Sequence, residues 1–475
     1  MNFAPITLEL ATAGLIVLVL VVDLAMKQGR KTLWLLTLAG TIALLVLAAF
    51  ARSDGSFFGG AYVADGLSWL SKMIILVGTV GTAAVSLNAV KVRDKFFGAY
   101  SALLLSATLG MMVLVSSKEL ITLYVGLETS AVSLFGMSAI AKRDELSLEA
   151  GIKYVILGTL SSGILLYGLS LIYAATGTTY LESIRGALSG RGLQPLSVLG
   201  IVLILLGTGF KISMVPLHVW TPDVYEGAPT PVSAFISIAS KSAGFIFAVR
   251  LFLGAFADFK TLWGPLLIAA AVLTMTVGNF VAIPQKNVKR LLAYSTISQA
   301  GYILVGFVGA PAAGMSAVVF YLLVYTLTNL AAFAVVIAFS EIVGSDQLED
   351  YSGLARRQPL LGLAFALALL SLAGIPPLGG FVGKIFLFSA AMQEGYLWLV
   401  IVAALNSVVS LYYYLLVLRR MYISEPARNY PRGIVSLPLK AVLAVSIAGI
   451  FWLGIVPGSL MNLITGIFNS GGFRP

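Results

Sequence analysis

Four charged residues lie near the middle of long apolar segments, where charge is rare. They are Glu128, Lys211, Lys241 and Lys384. A charged side chain at the centre of a membrane-spanning helix costs roughly 2.5–3.5 kcal/mol, so the four together cost on the order of 10 kcal/mol. Structural pairing or contact with lipid headgroups is a reasonable explanation for one such residue. Four of them are typical of an ion path through a membrane.

The residue types in this set favour protons as the ion. A lysine in a dry environment releases its proton far more readily than one in water, and a nearby carboxylate opposes that release. Arginine would stay charged almost anywhere. We therefore expect Glu128 beside a lysine to act as a protonation switch. A sodium path would need a cage of oxygen ligands, which one carboxylate and three ammonium groups do not provide.

Helix-breaking residues lie next to two of these lysines. Lys211 precedes Pro216, and Lys384 follows the Pro-Pro and Gly-Gly pairs of residues 376–380. A broken helix leaves backbone groups unpaired, which a membrane protein tolerates only around buried or water-lined cavities. Breaks at equivalent places in two halves of a chain indicate the inverted repeats of a transporter.

Other polar residues in the apolar segments leave more than one interpretation open. Lys241 lies in a small, polar stretch, residues 237–244, which is also typical of close helix packing. His218 is the only histidine, and it either relays protons near neutral pH or caps the break after Lys211. Lys153 and Arg250 lie near helix ends, and we expect both to extend toward the lipid headgroups.

The elements that position these residues follow from composition. Hydrophobic residues make up 59% of the 475 and charged residues only 11%, against roughly 25% charged residues in a soluble domain. The chain is therefore an all-α polytopic membrane protein, a single domain over residues 1–475, with about fourteen transmembrane helices. Its first apolar run lacks a preceding basic region, so we expect a retained helix and not a signal peptide.

The fourteen predicted helices are each long enough to cross the roughly 30 Å of hydrocarbon. They lie near residues 6–26, 33–51, 66–90, 96–115, 119–140, 149–175, 196–215, 229–255, 262–283, 288–309, 316–342, 359–392, 396–422 and 436–461. The segment 359–392 is too long for one span, so it is predicted to be a broken helix.

Basic residues are concentrated in the loops that follow odd-numbered helices, as in Lys142-Arg143 and Arg356-Arg357. The positive-inside rule places those loops in the cytoplasm and both termini outside. Topology therefore explains the net charge of +10 better than nucleic-acid binding does. One cytoplasmic loop, with Asp223 and Glu226, breaks the pattern, and we expect it to face a partner subunit.

The composition also excludes several kinds of chemistry. The chain has no cysteine and one histidine, which excludes cysteine-ligated iron–sulfur clusters, disulfides and bis-histidine haem. We expect no metal and no cofactor bound to this chain. The P-loop pattern of ATP-hydrolysing proteins is missing as well. The energy source must then be an ion gradient or a partner subunit.

Several motifs resemble the antiporter-like membrane subunits of bacterial NADH:quinone oxidoreductase, or respiratory complex I. The likeness spans roughly residues 60–460. The motifs that carry it are Gly126–Glu128, Leu148–Tyr154, Pro216–Tyr225, Lys289–Ser295 and Ala373–Pro377. The resemblance implies two inverted five-helix repeats, approximately residues 96–255 and 262–422, with helices 7 and 12 broken.

The same resemblance assigns positions to the charged residues. Glu128 matches the acid of helix 5, Lys211 the lysine of broken helix 7, Lys241 the central lysine of helix 8, and Lys384 the lysine of broken helix 12. A lysine at this last position favours subunit N over the related subunit M, which usually has an acid there. Gln299 stands where many relatives have a histidine, so a titratable group is missing at that position.

The function implied by the resemblance is that of a translocase subunit without a redox centre. Quinone reduction elsewhere in the complex would drive protons in near Lys211, past Lys241 and out near Lys384, with His218 as a further relay. NADH, FMN, iron–sulfur clusters and quinone are then expected in partner subunits, both membrane and peripheral. The bacterial inner membrane is the expected location, with lipid but no nucleic acid as a further partner.

Two alternatives stay open at this point. The chain could be a subunit of a multi-subunit cation/proton antiporter that is driven by gradients alone. It could also be the homologous subunit of a complex that oxidises ferredoxin, a deazaflavin or hydrogen. The driver of transport separates the first alternative from the pump, and the electron donor separates the second.

Overall fold

A computed structural model describes residues 3–26, 29–52, 54–87, 96–192, 194–425 and 433–469. Some of the basic residues that support the predicted topology lie outside these described ranges. They are Lys27, Lys91, Arg93, Lys95, Arg428, Arg432 and Arg474.

The described chain is almost entirely helical, because in lipid every backbone N–H and C=O group must be satisfied within its own segment. The helices are α1 (Thr7–Ala25), α2 (Arg30–Phe50), α3 (Gly66–Val85), α4 (Phe97–Ser116), α5 (Leu120–Ser138), α6 (Glu145–Thr176), α7 (Leu181–Arg191), α8 (Pro195–Ile212), α9 (Trp220–Gly227), α10 (Thr230–Phe235), α11 (Lys241–Arg250), α12 (Lys260–Ala282), α13 (Val288–Phe307), α14 (Pro311–Val343), α15 (Leu354–Arg357), α16 (Pro359–Ala373), α17 (Gly379–Gln393), α18 (Leu397–Tyr422), α19 (Leu437–Ile455) and α20 (Pro457–Asn469).

The predicted all-α membrane fold is confirmed. Within the described ranges, 12 helices are long and apolar enough to cross a membrane. The other two predicted spans are also helical. One is α13, which is 20 residues long and begins with the basic pair Lys289 and Arg290. The other consists of α16 and α17, with 15 residues each.

Both predicted helix breaks are present. Helix 7 consists of α8, which ends at Ile212, and α9, which begins at Trp220. Helix 12 consists of α16, which ends at Ala373, and α17, which begins at Gly379. Each break contains the proline residues that cannot donate a helical hydrogen bond.

Helix 8 and α14 form the centre of the bundle. Helix 8 covers residues Thr230–Ala255, and the most apolar window of this segment is 100% buried, as is 94% of the corresponding window of α14. Helix 8 is not regular, because π-helical turns at Ile236–Ser240 and Leu251–Ala255 interrupt it. In α1, α2 and α6 only about a third is buried, so these helices present apolar surface on the outside of the bundle.

Glycines allow α4 and α5 to approach backbone to backbone. A Cβ atom at Gly126 would lie 2.6 Å from the backbone nitrogen of Leu114, and one at Gly110 would lie 2.5 Å from that of Ser130. Small residues at helix crossings are the usual means of close packing in membranes. This contact fixes the position of the α5 turn that carries Glu128.

Several short elements at the helix ends are absent from the sequence predictions. Strand β1 (Gly55–Phe57) pairs antiparallel with strand β2 (Tyr62–Ala64) between helices α2 and α3. Helix α7 (Leu181–Arg191) follows α6, and Lys118 contacts its Glu182 at 3.1 Å. These elements are too short or too polar to give a hydropathy signal.

Candidate functional site

Glu128 is half-buried on α5, near the buried end of α8. Its Oε1 atom accepts no hydrogen bond from the described residues. The charges of Glu128 and Lys211 are close enough to interact, but in the described ranges no ion pair joins the two groups. The Lys211 ammonium instead donates a hydrogen bond to Ser130 Oγ at 3.3 Å, two residues along α5 from Glu128.

The break in helix 7 is stabilised by side chains that replace the missing helical hydrogen bonds. Ser213 ends α8 in the left-handed conformation, with φ 59°. The Val215 N–H donates to Thr274 Oγ1 of α12 at 3.0 Å, and the Trp220 indole donates to the Phe210 carbonyl at 3.1 Å. The exposed backbone groups are thus satisfied inside the protein, as a break within a membrane requires.

Lys241 points into this break. It is buried, with 2% of its surface exposed, and it directly follows the first π-helical turn of helix 8. Its ammonium donates to Ser213 Oγ and, at 3.5 Å, to the Lys211 carbonyl. It also lies 4.9 Å from the centre of the Trp220 ring. The carbonyl end of α8 and the aromatic face both favour a cation at this point.

The two lysines at the helix 7 break are electrostatically coupled. The Lys241 ammonium contacts the backbone of Lys211, and the charges of the two side chains repel each other. Two ammonium groups this close together influence each other's charge state. The arrangement can therefore pass a proton stepwise.

The break in helix 12 has its own local hydrogen bonds. Gly374 ends α16 in the left-handed region, with φ 88°, a conformation that glycine adopts without a Cβ clash. The Ile375 N–H donates to the Leu370 carbonyl at 3.0 Å. The Gly380 N–H donates to Ser371 Oγ at 3.2 Å.

Lys384 occupies the helix 12 break as Lys241 occupies the helix 7 break. Its ammonium donates to the Ala373 carbonyl at 3.1 Å and to Ser407 Oγ at 3.4 Å. It lies 4.2 Å from the centre of the Tyr302 ring. Each lysine thus has a carbonyl from the end of a broken half-helix, a serine hydroxyl and an aromatic face. Among the described residues, no carboxylate is in hydrogen-bond contact with either ammonium.

Buried polar side chains surround Ser237 of helix 8, four residues before Lys241. Ser237 lies 3.3 Å from Thr296 Oγ1 and 3.2 Å from the Tyr325 hydroxyl. The Tyr325 hydroxyl donates to Thr296 at 3.0 Å, and Ser237 lies 3.5 Å from Asn329 Oδ1. These groups are not among the residues predicted from the sequence, although polar residues in apolar helices were a visible signal.

Gln299 on α13 joins a second polar group near helix 12. It donates to the Leu372 carbonyl at 3.0 Å, close to the end of α16. Its Oε1 accepts a hydrogen bond from the Tyr321 hydroxyl at 2.6 Å, and its amide lies 3.5 Å from the Tyr414 hydroxyl. This uncharged side chain therefore bridges α13, α14, α16 and α18 at a buried position.

The structure brings only part of the predicted site together. Glu128, Lys211 and Lys241 form one group around the helix 7 break, and Lys384 lies apart in the helix 12 break. His218 is half-buried beside the exposed Val219. Among the described residues, no hydrogen bond or ion pair links its imidazole to the three grouped residues. The His218 carbonyl, however, caps the break by accepting the Thr221 N–H at 2.9 Å.

The acidic residues of the loop that breaks the charge pattern form ion pairs with basic residues of the same chain. Arg290 lies 2.7 Å from Asp223 and 2.9 Å from Glu226, and Lys153 contacts Asp223 at 2.6 Å. These basic residues come from α13 and α6. The expected partner-facing role of the loop is therefore not needed to account for its charge.

Two basic residues lie deeper than their sequence position indicates. Arg250, expected to extend toward the headgroups, is 1% exposed, because Asp65 at the start of α3 pairs with it at 2.8 Å. Lys72, near the start of the predicted helix 66–90, is 5% exposed on α3 and pairs with Glu9 of α1 at 2.9 Å. In both cases the partner acid lies on a different helix, which sequence spacing does not reveal.

Comparison with known proteins places this arrangement in a family. The family model described as "NADH:quinone oxidoreductase/Mrp antiporter, TM" matches residues 117–410. The NADH-quinone oxidoreductase subunit N of Moorella thermoacetica is 46% identical over 462 residues, which is 97% of each chain. A chain of respiratory complex I from Thermus thermophilus is 33% identical, with a TM-score of 0.84 over 97% of this chain and 100% of that one.

A third similarity concerns the fold alone. A chain of the Mrp complex from Dietzia sp. has a TM-score of 0.87 at 24% identity, covering 98% of this chain and 97% of that one. The matched segment contains Glu128, Lys211, Lys241 and Lys384, together with both broken helices. With nearly full-length relatives at over 40% identity, the chain belongs to the transmembrane family of NADH:quinone oxidoreductase and Mrp antiporter subunits.

Proposed function

We propose that this chain is a membrane-arm subunit of the subunit N type in an NADH:quinone oxidoreductase, and that it translocates protons. The names of the Moorella thermoacetica and Thermus thermophilus relatives support the complex. The observation that carries the transport function is the pair of buried ammonium groups, Lys241 and Lys384. Each is held in a helix break, and no carboxylate from the described part of the chain is hydrogen-bonded to it. Such groups can both hold and release a proton.

In the proposed path a proton enters near Lys211, passes Lys241 and leaves near Lys384. Glu128 tunes the first step through its charge, since a carboxylate stabilises a nearby ammonium. The hydroxyl groups of Tyr325 and Thr296 line the interior between the two breaks. His218 serves the entry side, because it lies at the edge of the helix 7 break.

Electron transfer takes place in other subunits. NADH, FMN, iron–sulfur clusters and quinone belong to those partners, and this chain binds neither cofactor nor metal. Conformational or electrostatic change arrives from the neighbouring subunits and shifts the proton affinities of the lysines. A ligand can only shift such an equilibrium by its differential interaction with the two states, so the partner contacts must differ between them.

We also propose that the chain has an internal symmetry. The chain contains two inverted five-helix repeats, approximately residues 96–255 and 262–422. In each repeat the fourth helix is the broken one, namely helix 7 in the first and helix 12 in the second. The protein resides in the bacterial inner membrane with both termini outside.

The experiment that tests the proposal uses inverted membrane vesicles that contain the assembled complex. We expect NADH oxidation by quinone to drive proton uptake, and we expect a quinone-site inhibitor to stop both reactions together. A sodium gradient without an electron donor should move no protons. Cation-driven proton exchange in the absence of NADH would instead identify a secondary antiporter. Pumping with ferredoxin but not NADH would identify a related complex.

A further inference from the structure

Two buried ion pairs lie side by side at the end of the bundle that carries the N terminus. Glu9 of α1 pairs with Lys72 of α3 at 2.9 Å, with 8% and 7% of the two side chains exposed. Asp65, at the start of α3, pairs with Arg250 of helix 8 at 2.8 Å. Neither pair takes part in the proposed path between the helix breaks.

Each side-chain nitrogen and oxygen of the Asp65–Arg250 pair has a hydrogen-bond partner. Arg250 donates to both carboxylate oxygens, at 3.1 and 2.8 Å, and its Nε donates to the Val115 carbonyl at 2.6 Å. Asp65 also caps α3 by accepting the Ser68 N–H at 2.8 Å. A buried pair with its remaining donors and acceptors satisfied is a structural connection, and it attaches α3 to helix 8.

The Glu9–Lys72 pair differs in its hydrogen bonding. The Glu9 carboxylate contacts the Lys72 ammonium and lies beside the Tyr62 hydroxyl. Lys72 donates to the Tyr62 hydroxyl at 2.7 Å, and its ammonium lies 5.2 Å from the centre of that ring. A buried ion pair is often costly compared with well-packed apolar residues of the same size. Its presence therefore calls for a role besides packing.

A cavity of about 40 Å³ lies beside Lys72. A water molecule needs roughly 10–15 Å³ of such space and two or more polar partners. The cavity wall supplies Lys72, Asp65 and Thr7, and it extends to Arg52, whose side chain is 40% exposed. The site is therefore roomy and polar enough for water that communicates with this end of the bundle.

From this geometry we propose that Lys72, with Glu9 as its counter-charge, exchanges protons with water at the N-terminal face of the protein. An N–H bond of the Lys72 ammonium breaks, a cavity water takes the proton as hydronium, and a neutral amine remains. The amine then accepts the next proton, and Glu9 stabilises the charged form again. This inference deepens the proposed proton translocation and rests on it.

Water access is tested first, and the cysteine-free chain makes single cysteines unique probes. Leu8→Cys places a thiol in the cavity wall, whereas Leu10→Cys, on the same helix, places it outside the cavity on the apolar outer surface, where Leu10 is 51% exposed. A charged, membrane-impermeant thiol reagent added from the N-terminal side should label Leu8→Cys and spare Leu10→Cys. Equal protection of both cysteines would show a closed cavity and overturn the proposal.

Proton exchange is tested next, in the energised vesicles. Lys72→Arg keeps the charge and the pair, but its neutral form is on the order of 100-fold or more scarcer, because the ordinary pKa of arginine is roughly two to three units higher. We expect this variant to lose most proton uptake. The double variant Glu9→Gln with Lys72→Met removes both charges. If the pair serves packing only, the double variant should pump normally. If Lys72 exchanges protons, the double variant should remain defective.

The control is Lys118→Met, which removes a lysine from the exposed pair with Glu182 and should pump normally. Wild-type proton uptake by Lys72→Arg, or by the double variant, would show that Glu9 and Lys72 serve packing and do not exchange protons. In that event Lys211→Arg separates the two proposals. If Lys211→Arg is defective, proton translocation stands and only the Lys72 site fails, whereas normal pumping in both arginine variants would count against both.

Discussion

At the scale of single residues, the choice of lysine at the two helix breaks is the informative feature. Lys241 and Lys384 each contact a carbonyl, a hydroxyl and an aromatic ring. All of these stabilise the charged form while leaving the neutral form possible. An arginine would satisfy the same acceptors but would keep its proton. The two lysine side chains are thus suited to binding and releasing a proton.

Replacement of Lys211 should separate transport from folding. We expect Lys211→Ala to leave the complex assembled, because it removes a costly intramembrane charge, and to abolish most proton uptake. Lys211→Arg should fail as well, since its neutral form is on the order of 100-fold or more scarcer than that of lysine. The measurement is proton uptake by NADH-energised vesicles, with assembly followed on native gels.

The matched control for this prediction is Lys260→Ala at the protein surface. Lys260 pairs with Glu394 at 2.8 Å and is partly exposed, so its loss should leave pumping unchanged. Wild-type uptake by Lys211→Arg would show that Lys211 holds the helix break together and carries no proton.

Lys211 and Lys384 could be identified from the sequence, whereas the burial of Lys72 and Arg250 could not. Lys211 and Lys384 are recognisable because proline and glycine beside them signal a break in the same stretch of chain. The burial of Lys72 and Arg250 depends on Glu9 and Asp65, which lie on other helices. Such pairing is a property of the assembled bundle, and periodicity along one helix does not contain it.

At the scale of elements, the contact between α4 and α5 positions the acid. Gly110 and Gly126 face each other across this contact, and a Cβ at either position would lie within 2.6 Å of the opposing backbone. Glu128 is two residues beyond Gly126, so its distance from the helix 7 break depends on this close packing.

We expect Gly126→Ala to destabilise the protein by about 1–3 kcal/mol, the usual cost of overpacking. The added methyl group forces α5 away from α4, which also moves Glu128 and should reduce pumping. Gly163→Ala on α6 is the control, because no atom lies within 4 Å of the new Cβ and alanine favours a helix interior by roughly 0.5–1 kcal/mol. Thermal unfolding of the purified complex measures both, and equal melting temperatures would refute the packing argument.

The helices themselves were largely predictable, whereas their irregularities were only partly so. The Pro-Pro and Gly-Gly pairs of residues 376–380 indicate the helix 12 break directly. The π-helical turns at Ile236–Ser240 and Leu251–Ala255 carry no comparable signal. A π turn arises where packing and polar contacts outweigh regular hydrogen bonding, and helix 8 is enclosed on all sides.

At the scale of the whole molecule, fourteen spans require the two termini to lie on the same side of the membrane. The loops after odd-numbered helices hold the basic pairs Lys142-Arg143 and Arg356-Arg357. Positive loops remain in the cytoplasm during insertion. The opposite end of the bundle carries the strands β1 and β2 and helix α7.

We therefore expect a reporter fused after Pro475 to be active only if it functions outside the cytoplasm. A periplasm-dependent phosphatase should be active in this fusion, and a fluorescent protein that folds only in the cytoplasm should stay dark. The same reporters fused after Arg143 are the internal control and should give the reverse pattern. Cytoplasmic fluorescence from the Pro475 fusion would overturn the proposed orientation.

The ion pair between Asp65 and Arg250 also has a consequence for biosynthesis. The two residues are 185 positions apart in the chain, so at about 5–20 residues per second the ribosome adds Arg250 roughly 10–40 seconds after Asp65. During that delay the carboxylate is held by the N-terminal turn of its own helix, through Ser68. The first three helices must therefore wait in the insertion machinery or the bilayer until helix 8 arrives.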